Sequence, residues 1–216
     1  MPVSEKEQQQ INSIVARFEA ATGIQAVAAV VAKADAYPEI PWKAYAIGSA
    51  LAALTVTCFP FLLADWNSAS TLAYYAMAII GAGAVLAAAA AFIPAAGRLF
   101  LDRVRAESEV RQYGLAMFVE RQIFCTTERC AVLLLVSLYE RVAVILPDTG
   151  LAQYAPRAEA ERIAGSMRAA LARRGVPAAF EAGFEELTAL VAARGYAARA
   201  PGANVLDDAV IAEKGA

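Results

Sequence analysis

Histidine is absent from this 216-residue chain, and its absence excludes several functions. Ser-His-Asp and Cys-His catalysis, histidine-ligated zinc or haem, and a histidine pH switch all require an imidazole. Only three cysteines occur, and this odd count does not fit a disulfide framework. We interpret Cys58 as a small hydrophobic residue within an apolar run. Cys125 and Cys130 are interpreted as ordinary cytoplasmic thiols, with a thiol pair or half of a metal site as the alternative. No catalytic residue is assigned.

Charge is also scarce. Charged residues make up 19 % of the chain and hydrophobic residues 59 %, against about 45–50 % apolar residues in a typical soluble domain. The net charge of −2 lacks the basic footprint that nucleic-acid binding needs. The apolar excess is concentrated in segment 44–97. The sequence therefore predicts a membrane segment beside a soluble remainder, with lipid and not nucleic acid as a partner.

Two uncharged runs predict a transmembrane hairpin with spans 44–63 and 72–93. Each has about the 20 residues that cross a bilayer core of ~30 Å as a helix. The small residues Gly81 and Gly83 favour close packing of the two helices. Aromatic side chains, which favour the membrane interface, flank the spans: Trp42, Tyr45, Trp66, Tyr74 and Tyr75. Lysine and arginine flank the hairpin but are missing from its turn, so we expect both termini in the cytoplasm.

The remaining residues predict one α+β domain, interrupted by the hairpin. Before it, Ser4 and Glu7 form a capping box that predicts a helix up to Gly23. The apolar segment 24–32 then predicts a buried strand. After the hairpin we expect a long helix over 98–120, an antiparallel strand pair at 131–138 and 142–146, and helices over 157–174 and 177–194. The predicted organisation is thus 1–43, 44–97, 98–196 and a flexible tail over 197–216.

Several short motifs resemble the TPM domain family, whose fold is shared by a thylakoid-lumen repair phosphatase of plants and a nematode acetylcholine-receptor auxiliary protein. More closely, the chain is similar to bacterial membrane proteins in which a transmembrane hairpin interrupts such a domain. The resemblance covers about Ser4 to Arg194 and rests on segments 20–23, 37–42 and 131–151 and on Phe180, Gly183 and Leu187. Relatives usually have a Gly-Leu-His-x-Thr run where this chain has Ile123-Phe-Cys-Thr-Thr-Glu-Arg-Cys130. The resemblance implies a mixed β-sheet flanked by helices, in the inner (plasma) membrane of a bacterium.

Polar residues beside the predicted strands are the candidate site residues. Glu140 and Arg141 at the strand turn are either a handle for a partner or a local turn pair. Some TPM-like domains are reported to bind calcium, which implies Asp148 as a ligand, with Glu140 and Glu120 as further carboxylates. Calcium needs six to eight oxygens, so the alternative is a turn in which Asp148 binds the backbone. The arginine-rich helix over 157–174 is interpreted as a solvated face, with anionic lipid contact as the alternative.

The leading functional hypothesis is a non-enzymatic, membrane-anchored accessory or scaffold protein that presents its cytoplasmic domain to another membrane-associated protein. The resemblance to the plant phosphatase gives the second hypothesis, a metal-dependent (acid) phosphatase. Self-assembly into a homo-oligomer through the small-residue face of the hairpin is the third. No cofactor other than calcium or another divalent cation is implied.

Overall fold

The computed structural model describes residues 3–62, 69–126, 129–197 and 210–215, with the backbone alone at 59–62 and 69. The chain divides into two compact units. The first combines the residues up to Asp35 with those from Val104 onward, and the second is Ala36–Arg103. The inserted unit is thus longer at both ends than the predicted segment 44–97.

A mixed four-stranded sheet forms the centre of the first unit, which confirms the predicted α+β class. The strands are β1 (Gln25–Lys33), β2 (Ala131–Ser137), β3 (Val142–Pro147) and β4 (Ile211–Gly215), in the order β3-β2-β1-β4. β1 is parallel to β2 and β4, whereas β2 and β3 form the predicted antiparallel hairpin. Parallel pairing joins segments on either side of the inserted unit, so the sheet assembles only when both are present.

Helices cover both faces of the sheet. The described helices are α1 (Glu5–Thr22), α2 (Glu39–Leu62), α3 (Ala69–Phe92), α4 (Pro94–Arg98), α5 (Arg103–Glu120), α6 (Thr149–Ala152), α7 (Arg157–Arg174) and α8 (Val176–Ala193). Alternate residues of β2 supply the two cores: Leu134 packs with α1, α7 and α8, and Leu133 packs with α5. The buried strands are apolar on both sides for this reason.

The predicted start of α1 is confirmed. The Ser4 hydroxyl accepts a hydrogen bond from the Glu7 amide at 3.4 Å, and the Glu7 carboxylate accepts one from the Ser4 amide at 2.9 Å. The hydrogen bonds that the Ser4 amide and hydroxyl donate to the Glu7 carboxylate lower the pKa of Glu7. The helix ends where predicted, at Gly23, whose φ of 71° suits glycine.

The prediction of one long helix over 98–120 is wrong at the start of the helix. Ile93 is extended before Pro94, because proline disfavours a helical conformation in the preceding residue, and the short α4 follows. The main helix, α5, begins only at Arg103. Not all of its large apolar side chains are buried: Val104 and Val119 are exposed, whereas Gly114 is buried. A Cβ on Gly114 would lie 3.1 Å from Leu146 Cδ1, so this glycine permits close packing on the sheet.

The prediction of a flexible tail over 197–216 is wrong for Ile211–Gly215, which forms the edge strand β4. The Tyr113 hydroxyl on α5 donates to Glu213 Oε2 at 2.6 Å, and Arg121 Nη2 lies 2.8 Å from Glu213 Oε1. The Val210 amide donates to Asn12 Oδ1 at 3.0 Å. These tertiary bonds fix a segment whose own composition is only weakly typical of a strand.

The second unit contains the paired helices α2 and α3. A Cβ on Gly48 would lie 3.0 Å from the Ala82 carbonyl oxygen, and one on Gly83 would lie 2.9 Å from Tyr45 Cε2. Close packing at Gly83 agrees with the prediction, but Gly81 lies in open space and does not contribute. Within the described residues, Ser70–Phe92 is the one helix long and apolar enough to cross a membrane, with a mean hydropathy of 2.0.

Candidate functional site

A groove runs along β3, which is an edge strand of the sheet among the described residues. Helix α5 forms one wall and α7 the other, with β3 at the bottom. Two adjoining cavities of about 360 and 240 Å³ make up the groove. Arg111, Ile145 and Arg157 line both of them, so they lie in the middle of the groove.

The backbone of β3 presents unused hydrogen-bonding groups to this groove. The Asp148 amide donates to the Ala131 carbonyl at 2.9 Å, which fixes the alternation of the antiparallel ladder. By that alternation the backbone groups of Ala143 and Ile145 point away from β2 and towards the groove. Neither residue has another backbone partner in the described part of the chain. Pro147 has the same orientation, so its missing N–H removes no bond from the ladder.

Three arginines give the groove its charge. Arg157 Nε lies 2.6 Å from Glu161 Oε1, and Arg168 Nη1 lies 2.8 Å from Glu107 Oε1. The second pair joins α7 to α5 across one end of the groove. Arg111 forms no ion pair with any described residue. This groove was not predicted from the sequence, although Pro147 at the end of β3 is a signal of an edge strand.

Glu140 is turned into the protein. Its side chain is buried and accepts a hydrogen bond from the Ala34 amide at 2.9 Å and a second from the Ser137 hydroxyl. The bond from Ala34 ties the β2–β3 turn to the end of β1. Arg141, the other predicted partner-binding residue, is exposed at a φ of 54°. Partner binding at Arg141 stays a prediction, whereas Glu140 has a structural role inside the domain.

Asp148 is also buried and caps α6. Its Oδ1 accepts from the Thr149 amide at 2.7 Å, and its Oδ2 lies 3.2 Å from Arg129 Nε. Asp148 therefore binds the backbone, as expected for the turn that was the alternative to a calcium site. The guanidinium of Arg129 neutralises its charge. The predicted turn continues into the short helix α6 because this cap satisfies a free amide at its start.

The predicted metal set of Asp148, Glu140 and Glu120 does not form a single site. Glu140 and Asp148 lie beyond opposite ends of the β2–β3 hairpin, a separation of about 20 Å for strands of this length. Glu120 lies at the end of α5, where its charge helps to raise the pKa of Tyr113. In the described ranges, no three Cys, Asp or Glu side chains are grouped to hold a metal. Calcium binding as such stays an untested prediction.

Two phenols have pKa values far above their usual range. Burial and the neighbouring Glu213 carboxylate raise the pKa of Tyr113 to about 12. Burial and the contact with Cys130 raise the pKa of Tyr196 to about 12. Burial also raises the pKa of the Cys130 thiol, whereas Cys125 is exposed. The two cysteines therefore lie in different environments and both are free thiols.

The aromatic side chains predicted at the membrane interface are partly described. Trp42 is 73 % exposed and its ring lies 6.5 Å from that of Tyr45, edge to face. Tyr74 is 66 % exposed and Tyr75 is half-buried. Trp66 lies outside the described residues.

Comparison with known proteins supports the fold alone. No family model matches the chain, and no curated protein matches it. The structure is similar to the NMR structure of the BA42 protein from the psychrophilic bacterium Bizionia argentinensis, with a TM-score of 0.54 and 9 % sequence identity. The match covers 97 % of this chain and 94 % of that one. At this identity the likeness concerns the arrangement of helices and strands and not the chemistry of a site.

Proposed function

We propose that this protein is a membrane-anchored accessory protein whose TPM-like α+β domain binds a partner at the cytoplasmic face of a bacterial membrane. The single observation that carries the proposal is the apolar surface of the paired helices α2 and α3. Large side chains on both helices face outward, among them Leu51 at 59 %, Met77 at 59 % and Val85 at 71 % exposure. A patch of this kind is typical of a membrane or protein contact and not of a soluble surface.

The orientation in the proposal rests on charge. Lys33 and Lys43 precede the hairpin and Arg98, Arg103 and Arg105 follow it. Basic residues near the ends of spans stay on the cytoplasmic side. Because segments of the domain before and after the hairpin pair in one sheet, both must lie on the same side of the membrane. The even number of spans in a hairpin satisfies this condition.

An accessory role fits the polar residues better than catalysis does. Glu140 and Asp148 are bonded within the fold. The groove along β3, in contrast, offers backbone groups and an arginine, Arg111, that have no partner among the described residues. This arrangement suits the binding of a protein segment. The motifs quoted above for the TPM family support the same type of role, as that family includes receptor and photosystem accessory members.

Membrane insertion is tested with charges on the exposed face of α3. We expect the full chain to remain in membranes washed with alkaline carbonate, and a Met77→Lys, Ile80→Lys double variant to be lost from them. A lysine at the centre of a span costs about 2.5–3.5 kcal/mol, so two exceed the tolerance of one helix. The control is Met77→Leu, Ile80→Leu, which keeps the apolar face. Release of the unmodified chain by carbonate would contradict the anchor.

Partner binding is tested by capture in mild detergent. The full chain, cross-linked in membranes before extraction, should return the same membrane or cytoplasmic protein in independent preparations. The charged double variant serves as the control for capture that depends on the anchor. Repeated failure to capture any protein from cells that produce the chain naturally would contradict the accessory role.

A further inference from the structure

The free edge of β3 has the properties of a strand-binding site. Ala143 and Ile145 each point one N–H and one C=O into the groove, four groups in all. Water has little access to these groups, because Ala143 is only 7 % and Ile145 only 3 % exposed. Shielded backbone groups without partners are unfavourable, and an added β-strand would pair all four.

One ion pair bridges the two walls of the groove. Arg168 and Glu107 meet across the end near Val142, joining α7 to α5. Their side chains are 36 % and 47 % exposed, so the pair is screened by water. Exposed pairs contribute little, and opening this one lowers the affinity of an incoming ligand by less than about fivefold. A carboxylate on the ligand would replace Glu107 as the partner of Arg168.

The charge of the groove selects the kind of strand. Three arginines and two glutamates line it, and Arg111 in the middle has no ion-pair partner among the described residues. An acidic side chain on a bound strand would neutralise Arg111 without disturbing another contact. A basic side chain at the same place would add a second unpaired positive charge.

We propose that the β3 edge, between α5 and α7, binds an extended segment of a partner protein as a fifth strand, with an acidic side chain of that segment opposite Arg111. This inference rests on the proposed accessory function and identifies the surface and the kind of partner segment. Main-chain hydrogen bonds supply affinity in such strand addition, and the side-chain contacts supply specificity.

The proposal is tested with fluorescent hexapeptides of alternating valine and threonine that carry either glutamate or lysine at the third position. They are titrated into the full chain in nanodiscs of zwitterionic lipid, followed by fluorescence anisotropy, with empty nanodiscs as the blank. We expect the glutamate peptide to bind at least tenfold more tightly than the lysine peptide. Methylation of three consecutive central amides of the glutamate peptide should abolish binding, since it removes strand pairing on either edge.

Two pairs of protein variants locate the binding. Ala143→Pro removes one groove-facing N–H but no bond of the β2–β3 ladder, so it should weaken binding of the glutamate peptide at least tenfold. The control Ala143→Ser keeps the N–H and should bind this peptide as tightly as the unmodified protein. Arg111→Glu should reverse the preference to the lysine peptide. Arg173→Glu, an equal change of charge on the exposed end of α7, should leave it unaltered. The reversal keeps the test valid if Ala143→Pro does not fold.

Equal binding of the two peptides, binding that survives amide methylation, or an unchanged preference in Arg111→Glu would each overturn the proposal. Failure of the strand-binding proposal can be distinguished from failure of the proposed accessory function. A partner captured equally well by Ala143→Pro, judged folded by circular dichroism, would reject this groove and leave the accessory role in place. Specific peptide binding without any captured partner would support the groove and count against that role.

Discussion

Glu140 provides the sharpest test of how the two halves of the domain are joined. In the Glu140→Ala variant the Ala34 amide and the Ser137 hydroxyl each lose the carboxylate that accepts their hydrogen bond. A hydrogen bond to a charged group contributes about 1.5–3 kcal/mol, and a buried donor left unpaired is penalised further. Because Glu140 keeps 8 % exposure, water can reach the vacated space and replace part of the loss. We expect the free energy of unfolding to fall by about 2–4 kcal/mol.

The assay is urea unfolding of the full chain in detergent micelles, followed by far-UV circular dichroism, with hydrogen exchange of β1 and β2 as a local probe. Glu140→Gln keeps one acceptor and should lose about half as much stability as the alanine variant. Arg141→Ala, the exposed neighbour, is the matched control and should change stability by less than about 0.5 kcal/mol. A loss of that small size in Glu140→Ala would refute the structural role given to this carboxylate.

Three further predictions concern separate parts of the chain. The bonds from Tyr113 and Arg121 hold the pKa of Glu213 below its usual 4.5. The stabilising effect of Glu213 is therefore present above pH 4.5 and is lost as the pH falls through the lower pKa of the folded state. Hydrogen exchange should show β4 losing protection in acid, and the Glu213→Gln variant should lack this pH dependence. Gly83→Leu should destabilise the α2–α3 pair by about 1–3 kcal/mol in thermal unfolding, whereas Gly81→Leu should have no such effect. In a Cys58→Ser background, iodoacetamide should modify Cys130 more slowly than Cys125, because burial raises the pKa of the Cys130 thiol; equal rates would contradict that environment.

Local patterns were enough to predict most of the elements of the domain. The apolar run of β2 and the Tyr139–Arg141 turn predicted the hairpin to within a residue or two, because burial on both faces leaves a strong sequence signal. The capping box at Ser4 and the glycines at 23 and 175 fixed helix ends through short-range backbone chemistry. Such features depend on neighbours in sequence and are therefore visible without a structure.

The features that were missed depend on distant residues. β4 is held by Tyr113 and Asn12, each about a hundred residues or more from its partner. The buried face of α5 is chosen by how closely Gly114 approaches the sheet, which no periodicity of large side chains reveals. The candidate groove exists because β3 is at the edge of the sheet, a fact of strand order and not of local sequence.

We propose that a membrane hairpin holds the α+β domain at the cytoplasmic face of the membrane. Labelling of Cys125 reports directly on the side of the membrane where the domain lies. In a Cys58→Ser, Cys130→Ser variant it is the one remaining thiol, and its side chain is exposed. Bacterial cells producing this variant are treated with a membrane-impermeant maleimide before and after permeabilisation. We expect Cys125 to react only after permeabilisation and the labelled protein to be in the membrane fraction. Labelling in intact cells, or labelled protein in the soluble fraction, would contradict it.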